Sequence, residues 1–187
     1  MARPSAALRG RILDSSRRLF SERGYEATSL QEIASDVGCS KAALLYHFKN
    51  KDALLAELLT PVGQRLAELL EKVAPLDGEE LVRTTVNDLV NSALEYRLEI
   101  RLLFEDLPRL PARPELNLLP DSTERLLDCL TGRSRDPRAR VAASMVLAGV
   151  ALTVSARDEA PVGGDGSDAD LRHGLVEAAL RALGQDL

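Results

Sequence analysis

The stretch SLQEIASDVGCSKAALLYHFKN, residues 29–50, decides the fold of the part of the chain around it. Ser29 and Glu32 have the spacing of a capping box, in which two side chains satisfy free amides at the start of a helix. Apolar residues then recur at the spacing of one helix face: Leu30, Ile33, Ala34 and Val37. Gly38 is expected to end this helix, because glycine readily adopts the left-handed conformation found at helix C termini. The pattern predicts a short helix followed by a tight turn.

A second short helix is predicted after the turn, and its side chains divide into an inward and an outward set. Ser40 has the position of its N-cap, and Leu44 and Phe48 have the spacing of residues that pack on the preceding helix. Most of the remaining side chains are polar or small, among them Lys41, Ala42, Tyr46, His47 and Lys49, and Leu45 is the apolar exception. A helix this short cannot form a core alone. The pair predicts a helix-turn-helix unit whose outer face enters the major groove of DNA, which admits one helix.

Composition predicts helices along the whole chain. Hydrophobic residues make up 45% of the 187 positions, aromatic residues only 3%, and Trp is absent, a mixture that favours helix over strand. Gly, Pro and capping residues separate about nine helical segments. The predicted fold class is all-α, with an N-terminal three-helix domain at residues 6–66 and a C-terminal helical domain at residues 67–187. Pro61 is expected to kink or break the fourth helix near Thr60.

The charge of the chain is unevenly distributed. Its net charge of −5 taken alone argues against binding to nucleic acid. Residues 1–56, however, carry 9 Lys and Arg against 6 Asp and Glu, a net charge of +3, which leaves −8 for residues 57–187. This asymmetry is typical of a basic DNA-contacting domain joined to an acidic body.

No motif in the sequence predicts an enzyme, a metal site or a cofactor site. There is no glycine-rich phosphate loop, H-E-x-x-H or G-x-S-x-G motif, and Cys39 and Cys129 do not form a C-x-x-C pair. The longest apolar run, residues 141–154, is shorter than the roughly 20 residues of a membrane span. The N terminus lacks the apolar core of a secretion signal. We therefore expect a cytoplasmic protein that is not an enzyme and needs no metal or cofactor.

Residues 19–55 resemble the DNA-binding domain of TetR-family transcriptional regulators. The residues that carry the resemblance are Phe20, Gly24, Thr28–Ser29, Ile33–Ala34, Gly38, Ser40–Lys41, Leu44, Tyr46–His47–Phe48 and Lys51. The resemblance implies a helix-turn-helix motif at about residues 29–48. It implies phosphate contacts by Ser29, His47 and Lys51. It implies contacts within the groove by Lys41, Ala42 and Tyr46.

Leu45 departs from the family, which often has tyrosine at this position. Leucine cannot donate a hydrogen bond there, but its side chain can contact the methyl group of a thymine. We therefore keep Leu45 among the predicted DNA-binding residues and leave the operator sequence open.

The resemblance also implies what the C-terminal domain does. It implies a homodimer through the eighth and ninth helices, which carry small residues that allow close approach: Ala142, Ala143, Ser144, Ala148, Gly149, Ala151, Gly174, Ala178, Ala179 and Ala182. It implies a pocket for a small-molecule effector among the fourth to eighth helices. The polar and aromatic residues available to line that pocket are Asn87, Asn91, Tyr96, Arg101, Phe104 and Cys129, each of which could instead face water or a partner.

Two functions of different classes are compatible with these patterns. The favoured one is a sequence-specific transcriptional regulator, a repressor that a small-molecule ligand releases from a palindromic operator. The alternative is a helical scaffold that binds a ligand or a protein and no longer reads DNA. Leu45 and the negative net charge are the two features that support the alternative.

Overall fold

In a computed structural model, the chain is described at residues 4–106, 118–156 and 167–185, and most of these residues are helical. Those ranges contain nine helices and no strand, which confirms the all-α prediction. The helices are α1 (Pro4–Arg23), α2 (Leu30–Val37), α3 (Lys41–His47), α4 (Lys51–Val73), α5 (Gly78–Glu95), α6 (Arg97–Asp106), α7 (Leu118–Leu130), α8 (Pro137–Ala156) and α9 (Asp168–Ala182).

The chain divides into two compact units between Thr60 and Pro61, inside α4. The first unit contains α1 to α3 and the start of α4, and the second contains the described residues from position 61 onward. Helix α4 nevertheless runs through Pro61 without interruption, so of the kink or break expected near Thr60 the break does not occur.

The first unit has a small core in which α1 packs against α2 and α3. Ile12 and Phe20 from α1, Ile33 from α2 and Leu44 from α3 are completely buried. Phe48 is also buried, which confirms the inward positions expected from the spacing within α3. This core fixes which face of α3 is left for solvent.

The second unit is a bundle in which α5 is central. Helix α5 packs against α7, α8 and α9, while α6 packs against α8. The core of the second unit is aliphatic. The residues that are nearly inaccessible to solvent include Leu69, Val73, Leu81, Val86, Val90, Leu130, Ala143, Val150 and Val154. The buried face of α8 is therefore established by its partners within the chain.

A buried carboxylate links α4 to α5 within this bundle. The Lys72 ammonium donates a 2.7 Å hydrogen bond to Asp88, whose side chain is only 9% exposed, and Arg65 lies 3.9 Å from its other oxygen. A charged group with so little solvent depends on its protein partners for stabilisation.

We expect Asp88→Asn to lower the free energy of unfolding by about 1–3 kcal/mol, because the Lys72 ammonium loses its anionic acceptor. This loss of stability is smaller than the loss expected on breaking a fully buried ion pair, because Lys72 is itself half-exposed. Urea unfolding followed by circular dichroism measures the change. Glu79→Gln is the matched control: it breaks the exposed Arg83–Glu79 pair and should change the free energy by less than about 0.5 kcal/mol. Equal effects of the two substitutions would contradict this role of Asp88.

Candidate nucleic-acid interface

The turn between α2 and α3 is set by caps at both helices. The Ser29 hydroxyl accepts from the Glu32 amide (3.2 Å) and Glu32 accepts from the Ser29 amide (2.8 Å), which confirms the capping box. Gly38 ends α2 with φ 73°, a left-handed conformation that glycine adopts without steric cost. Ser40 then accepts from the Ala43 amide at 3.1 Å and starts α3. These local bonds fix the direction in which α3 leaves the turn.

The start of α2 carries an ordered carboxylate beside the predicted phosphate-binding residue Ser29. Hydrogen bonds from the Ser29 side chain and backbone lower the pKa of Glu32 below its ordinary value, and Arg23 lies 3.1 Å from the same carboxylate. Ser29 is exposed, so its position at a helix N terminus is open to an anion. The negative charge of ionised Glu32 makes the electrostatic potential at the N terminus of α2 less positive than the helix dipole alone would make it.

The outward face of α3 carries the four residues predicted to enter the groove. Lys41, Ala42, Leu45 and Tyr46 are all exposed, and they lie within an arc of about 140° at 3.6 residues per turn. Tyr46 is 84% exposed and Leu45 is 40% exposed, which is unusual for large apolar side chains. The opposite face is held by Leu44, which is completely buried. The helix is therefore anchored on one side and presents a mixed apolar and cationic surface on the other.

His47 and Lys49 flank this surface. The His47 ring is half-buried at the C-terminal residue of α3 and packs edge-on against Tyr46, with ring centroids 5.4 Å apart. Lys49 is exposed just beyond the helix. Both lie beside the outward face of α3, where phosphate contacts would fix the register of a bound helix.

Lys51, which the resemblance assigns to a phosphate contact, is bound within the first unit. Its ammonium donates to the backbone carbonyls of Tyr25 (2.8 Å), Thr28 (3.0 Å) and Glu26 (3.4 Å). It also lies 4.2 Å from the centre of the Tyr25 ring. An ammonium has only three N–H donors, so a phosphate would have to displace one of these carbonyls. Lys51 therefore connects the first turn of α4 to the segment between α1 and α2.

We expect Lys51→Met to lower the free energy of unfolding by about 1–3 kcal/mol, because part-buried carbonyl groups lose a charged donor while the side-chain stem is kept. Thermal or urea unfolding of the full chain measures this loss. Lys49→Met is the control, since Lys49 is exposed and should tolerate the same change almost without effect. A Lys51→Met protein as stable as the Lys49→Met protein would refute the role assigned to Lys51.

Most other cations of the first unit are paired within it. Ion pairs join Arg9 to Glu57 (2.7 Å), Arg18 to Asp36 (2.5 Å) and Arg23 to Glu32 (3.1 Å). Hydrogen bonds from Ser15 and Arg18 lower the pKa of Asp36, so this pair stays ionised near neutral pH. Across the part of the chain that the structure describes, Lys41 and Lys49 have no protein partner. Unpaired positive charge is thus available at Lys41, the first residue of α3, and at Lys49, two residues after the end of α3.

The residues predicted to line an effector pocket are dispersed in the second unit. Asn91 and Asn87 accept from the Arg172 guanidinium at 2.6 and 3.3 Å, so these amides hold α9 against α5. Tyr96 is half-buried at the end of α5, where burial and then Glu95 raise its pKa. Arg101 is half-buried on α6, and the side chain of Phe104 lies outside the described residues. Cys129 lines an open cleft between α4 and α7.

Helix α8 exposes a face that is unusual for a helix in a folded bundle. Val141, Met145 and Leu152 are 59%, 69% and 62% exposed, and Ala148 and Gly149 are exposed between them. This is the one described helix long and apolar enough to cross a membrane by length and composition, a weak indication for a single helix that also packs in a bundle. On α9, Gly174, Ala178 and Ala182 are exposed as well. The two helices thus offer small and apolar surface at positions where the sequence predicts a subunit contact.

Comparison with known sequences finds a family match that lies within the first unit. The model of the family described as "Bacterial regulatory proteins, tetR family" matches residues 12–58. The chain is 36% identical over 67 residues to the HTH-type transcriptional repressor Rv1474c of Mycobacterium tuberculosis, a match covering 36% of each chain. It is 40% identical over 74 residues to the HTH-type transcriptional regulator AcrR of Shigella flexneri, covering 39% of this chain and 34% of that protein. The match therefore spans about a third of the length of these relatives.

Comparison with solved structures extends the similarity to the whole chain. The crystal structure of Mycobacterium smegmatis AmtR aligns with a TM-score of 0.70 and 26% identity, over 99% of this chain and 90% of that chain. The arrangement of the bundle is therefore shared beyond the part that the sequence comparisons match.

Proposed function

We infer that this chain, which belongs to the TetR family of transcriptional regulators, binds DNA through the outward face of α3 and regulates transcription. One observation carries the proposal: a short helix is anchored by a buried leucine while Tyr46, on its other side, is 84% exposed. A large aromatic side chain left in solvent beside an unpaired lysine is suited to the edges of base pairs.

The individual contacts follow from the chemistry of each side chain. Lys41 can donate to a guanine edge or a phosphate, and Ala42 leaves room for the backbone to approach the bases. Leu45 and Tyr46 offer apolar surface to thymine methyl groups, and the Tyr46 hydroxyl adds a hydrogen bond. Ser29 and His47 are assigned to phosphates on either side of the groove. Lys51 is assigned to positioning, because its ammonium is engaged by backbone carbonyls.

We propose that two copies of the chain associate through the exposed faces of α8 and α9. The apolar side chains of α8 supply area to bury, and the small residues of both helices allow close approach. A two-fold dimer presents two copies of α3 to successive major grooves, about 34–36 Å apart, so the operator should be an inverted repeat. This assignment accounts for the apolar face of α8 without a membrane, and a regulator of this kind acts in the cytoplasm.

We further propose that the protein is a repressor whose DNA binding a small molecule reverses. The name of the Mycobacterium tuberculosis relative, a transcriptional repressor, supports the direction of regulation. The effector must bind one conformation of the dimer more tightly than the other, because equal affinity for both shifts no equilibrium. A broad screen in which every compound leaves operator binding unchanged would refute this part of the proposal and leave DNA binding intact.

A gel-shift titration with DNA from upstream of its own gene tests the proposed DNA binding. The expected result is a discrete complex that survives excess unrelated DNA and weakens steeply as salt rises, since each neutralised phosphate releases a counterion. Binding that does not distinguish this DNA from unrelated DNA would contradict a sequence-specific regulator.

A further inference from the structure

The second unit contains an arginine-lined cleft of about 440 Å³ between the C-terminal part of α4 and the end of α7. Its walls are formed by Leu70, Ala74, Arg125, Asp128, Cys129, Arg133, Ser134 and Arg135. The volume falls within the range of about 300–1,000 Å³ that is typical of small-molecule sites. Three of the eight lining residues are arginines and one is an acid, so the lining carries more positive than negative charge although the chain is acidic.

The shape of the cleft depends on an unusual turn after α7. Gly132 and Arg133 are both left-handed, with φ 59° and φ 62°, and a Cβ on Gly132 would lie 3.3 Å from Val82. A left-handed conformation is uncommon for arginine, and here it is held by a hydrogen bond from its guanidinium to the Ala74 carbonyl at 2.9 Å. Arg133 thereby ties the turn to the end of α4 and forms a fixed wall.

The other two arginines are free to bind something else. Asp128 is paired with Arg140 on α8 at 3.0 Å, and Arg140 also bonds Glu124, so the charge of Asp128 is partly compensated from outside the cleft. In the described part of the chain, the guanidinium groups of Arg125 and Arg135 have neither an ion pair nor a hydrogen bond. Both line the cleft, and a guanidinium presents two parallel donors that match a carboxylate or a phosphate.

The floor of the cleft is apolar. Leu70 is buried, and Cys129 is half-buried one helical turn after Arg125, on the same face of α7. Burial raises the pKa of the Cys129 thiol, although Arg133 and Arg125 oppose this shift. The thiol is thus protonated near neutral pH and serves as apolar lining. A ligand that fits both parts of the cleft has an anionic group and a short apolar chain.

We propose that this cleft binds a small amphipathic anion, with its oxyanion on Arg125 and Arg135 and its apolar part over Leu70 and Cys129. The proposal is independent of DNA binding and of the dimer. Carboxylates and phosphates share the required chemistry, and titrations with hexanoate and hexyl phosphate distinguish them. Hexanol has the apolar chain but no anionic group, and inorganic phosphate has the anionic group but no apolar chain. Both should therefore bind more weakly than the tighter of the two amphipathic anions.

Calorimetric titration of the full-length chain tests the binding. The Arg125→Gln/Arg135→Gln variant should weaken binding of the tighter probe by at least about tenfold, because two charge-assisted contacts are lost. Arg83→Gln/Arg181→Gln is the matched control: it removes the same charge from surface ion pairs outside the cleft and should leave the affinity unchanged. Circular dichroism checks that both variants keep their helices. Equal weakening in the two variants, or no binding of either amphipathic anion, would overturn the proposal.

Alkylation of Cys129 by iodoacetamide tests the location. In a Cys39→Ser background, the saturating probe should slow alkylation of Cys129 several-fold, because the ligand covers the thiol. Inorganic phosphate at the same concentration is the control and should slow it less. A probe that binds in the calorimeter yet leaves the alkylation rate unchanged would place its site elsewhere and refute the assignment.

Discussion

Met145→Asp should convert the proposed dimer to monomers and weaken binding to an inverted-repeat operator by at least about 100-fold. Met145 is 69% exposed within one chain, so the substitution should leave the bundle folded. In the dimer the same residue would be covered, and a buried carboxylate without a partner costs several kcal/mol. The monomer also loses the second half-site, whose binding within a dimer is effectively intramolecular. A cost of about 1.4 kcal/mol lowers an equilibrium constant tenfold, so both the dimerisation constant and the operator affinity should fall by large factors.

Sedimentation and gel-shift titration measure the two consequences of Met145→Asp separately. Ala67→Asp is the control, because Ala67 is exposed on α4, outside the proposed subunit contact. It should remain dimeric and bind the operator with the affinity of the unaltered protein. A Met145→Asp protein that stays dimeric at micromolar concentration would show that the exposed face of α8 is not the subunit contact.

Tyr46→Ala and Lys41→Ala should each weaken operator binding by about 10-fold to 100-fold. Each removes a base-edge contact worth about 1–3 kcal/mol, so the loss should be larger on the operator than on unrelated DNA. Because Tyr46 and Lys41 are exposed, the helical content and melting temperature should not change.

Lys49→Ala is the matched control for these substitutions. Lys49 is exposed beyond the end of α3 and is placed to contact phosphate only. Its removal should weaken binding to all DNA sequences about equally and should reduce the salt dependence by about one counterion. If Tyr46→Ala and Lys49→Ala reduced operator and unrelated DNA binding to the same extent, the assignment of Tyr46 to base contacts would be wrong.

Local patterns in the sequence were sufficient to predict the caps and the helix-turn-helix unit. The bonds between Ser29 and Glu32 and the turn at Gly38 involve residues close in sequence, so spacing alone specifies them. The inward positions of Leu44 and Phe48 follow from helical periodicity in the same way.

The roles that the sequence did not predict depend on contacts between distant residues. Lys51 bonds to carbonyls 23 to 26 positions away, and nothing in its local sequence distinguishes it from a lysine that faces DNA. Arg172 reaches Asn91 across 81 positions, so the local sequence does not show that this amide joins α9 to α5. The arginine-lined cleft likewise requires the turn after α7 to meet the end of α4, and composition alone assigned these arginines to no site.

Selection of bound genomic fragments by the purified chain tests the central claim most directly, that the outward face of α3 reads the major groove. The account predicts enrichment of one inverted repeat whose half-site centres lie about 10 base pairs, or one helical turn, apart. It also predicts that a Lys41→Ala/Tyr46→Ala protein, folded and dimeric, enriches nothing. Recovery of the same repeat by that double variant, or of no common sequence by the unaltered protein, would contradict the account.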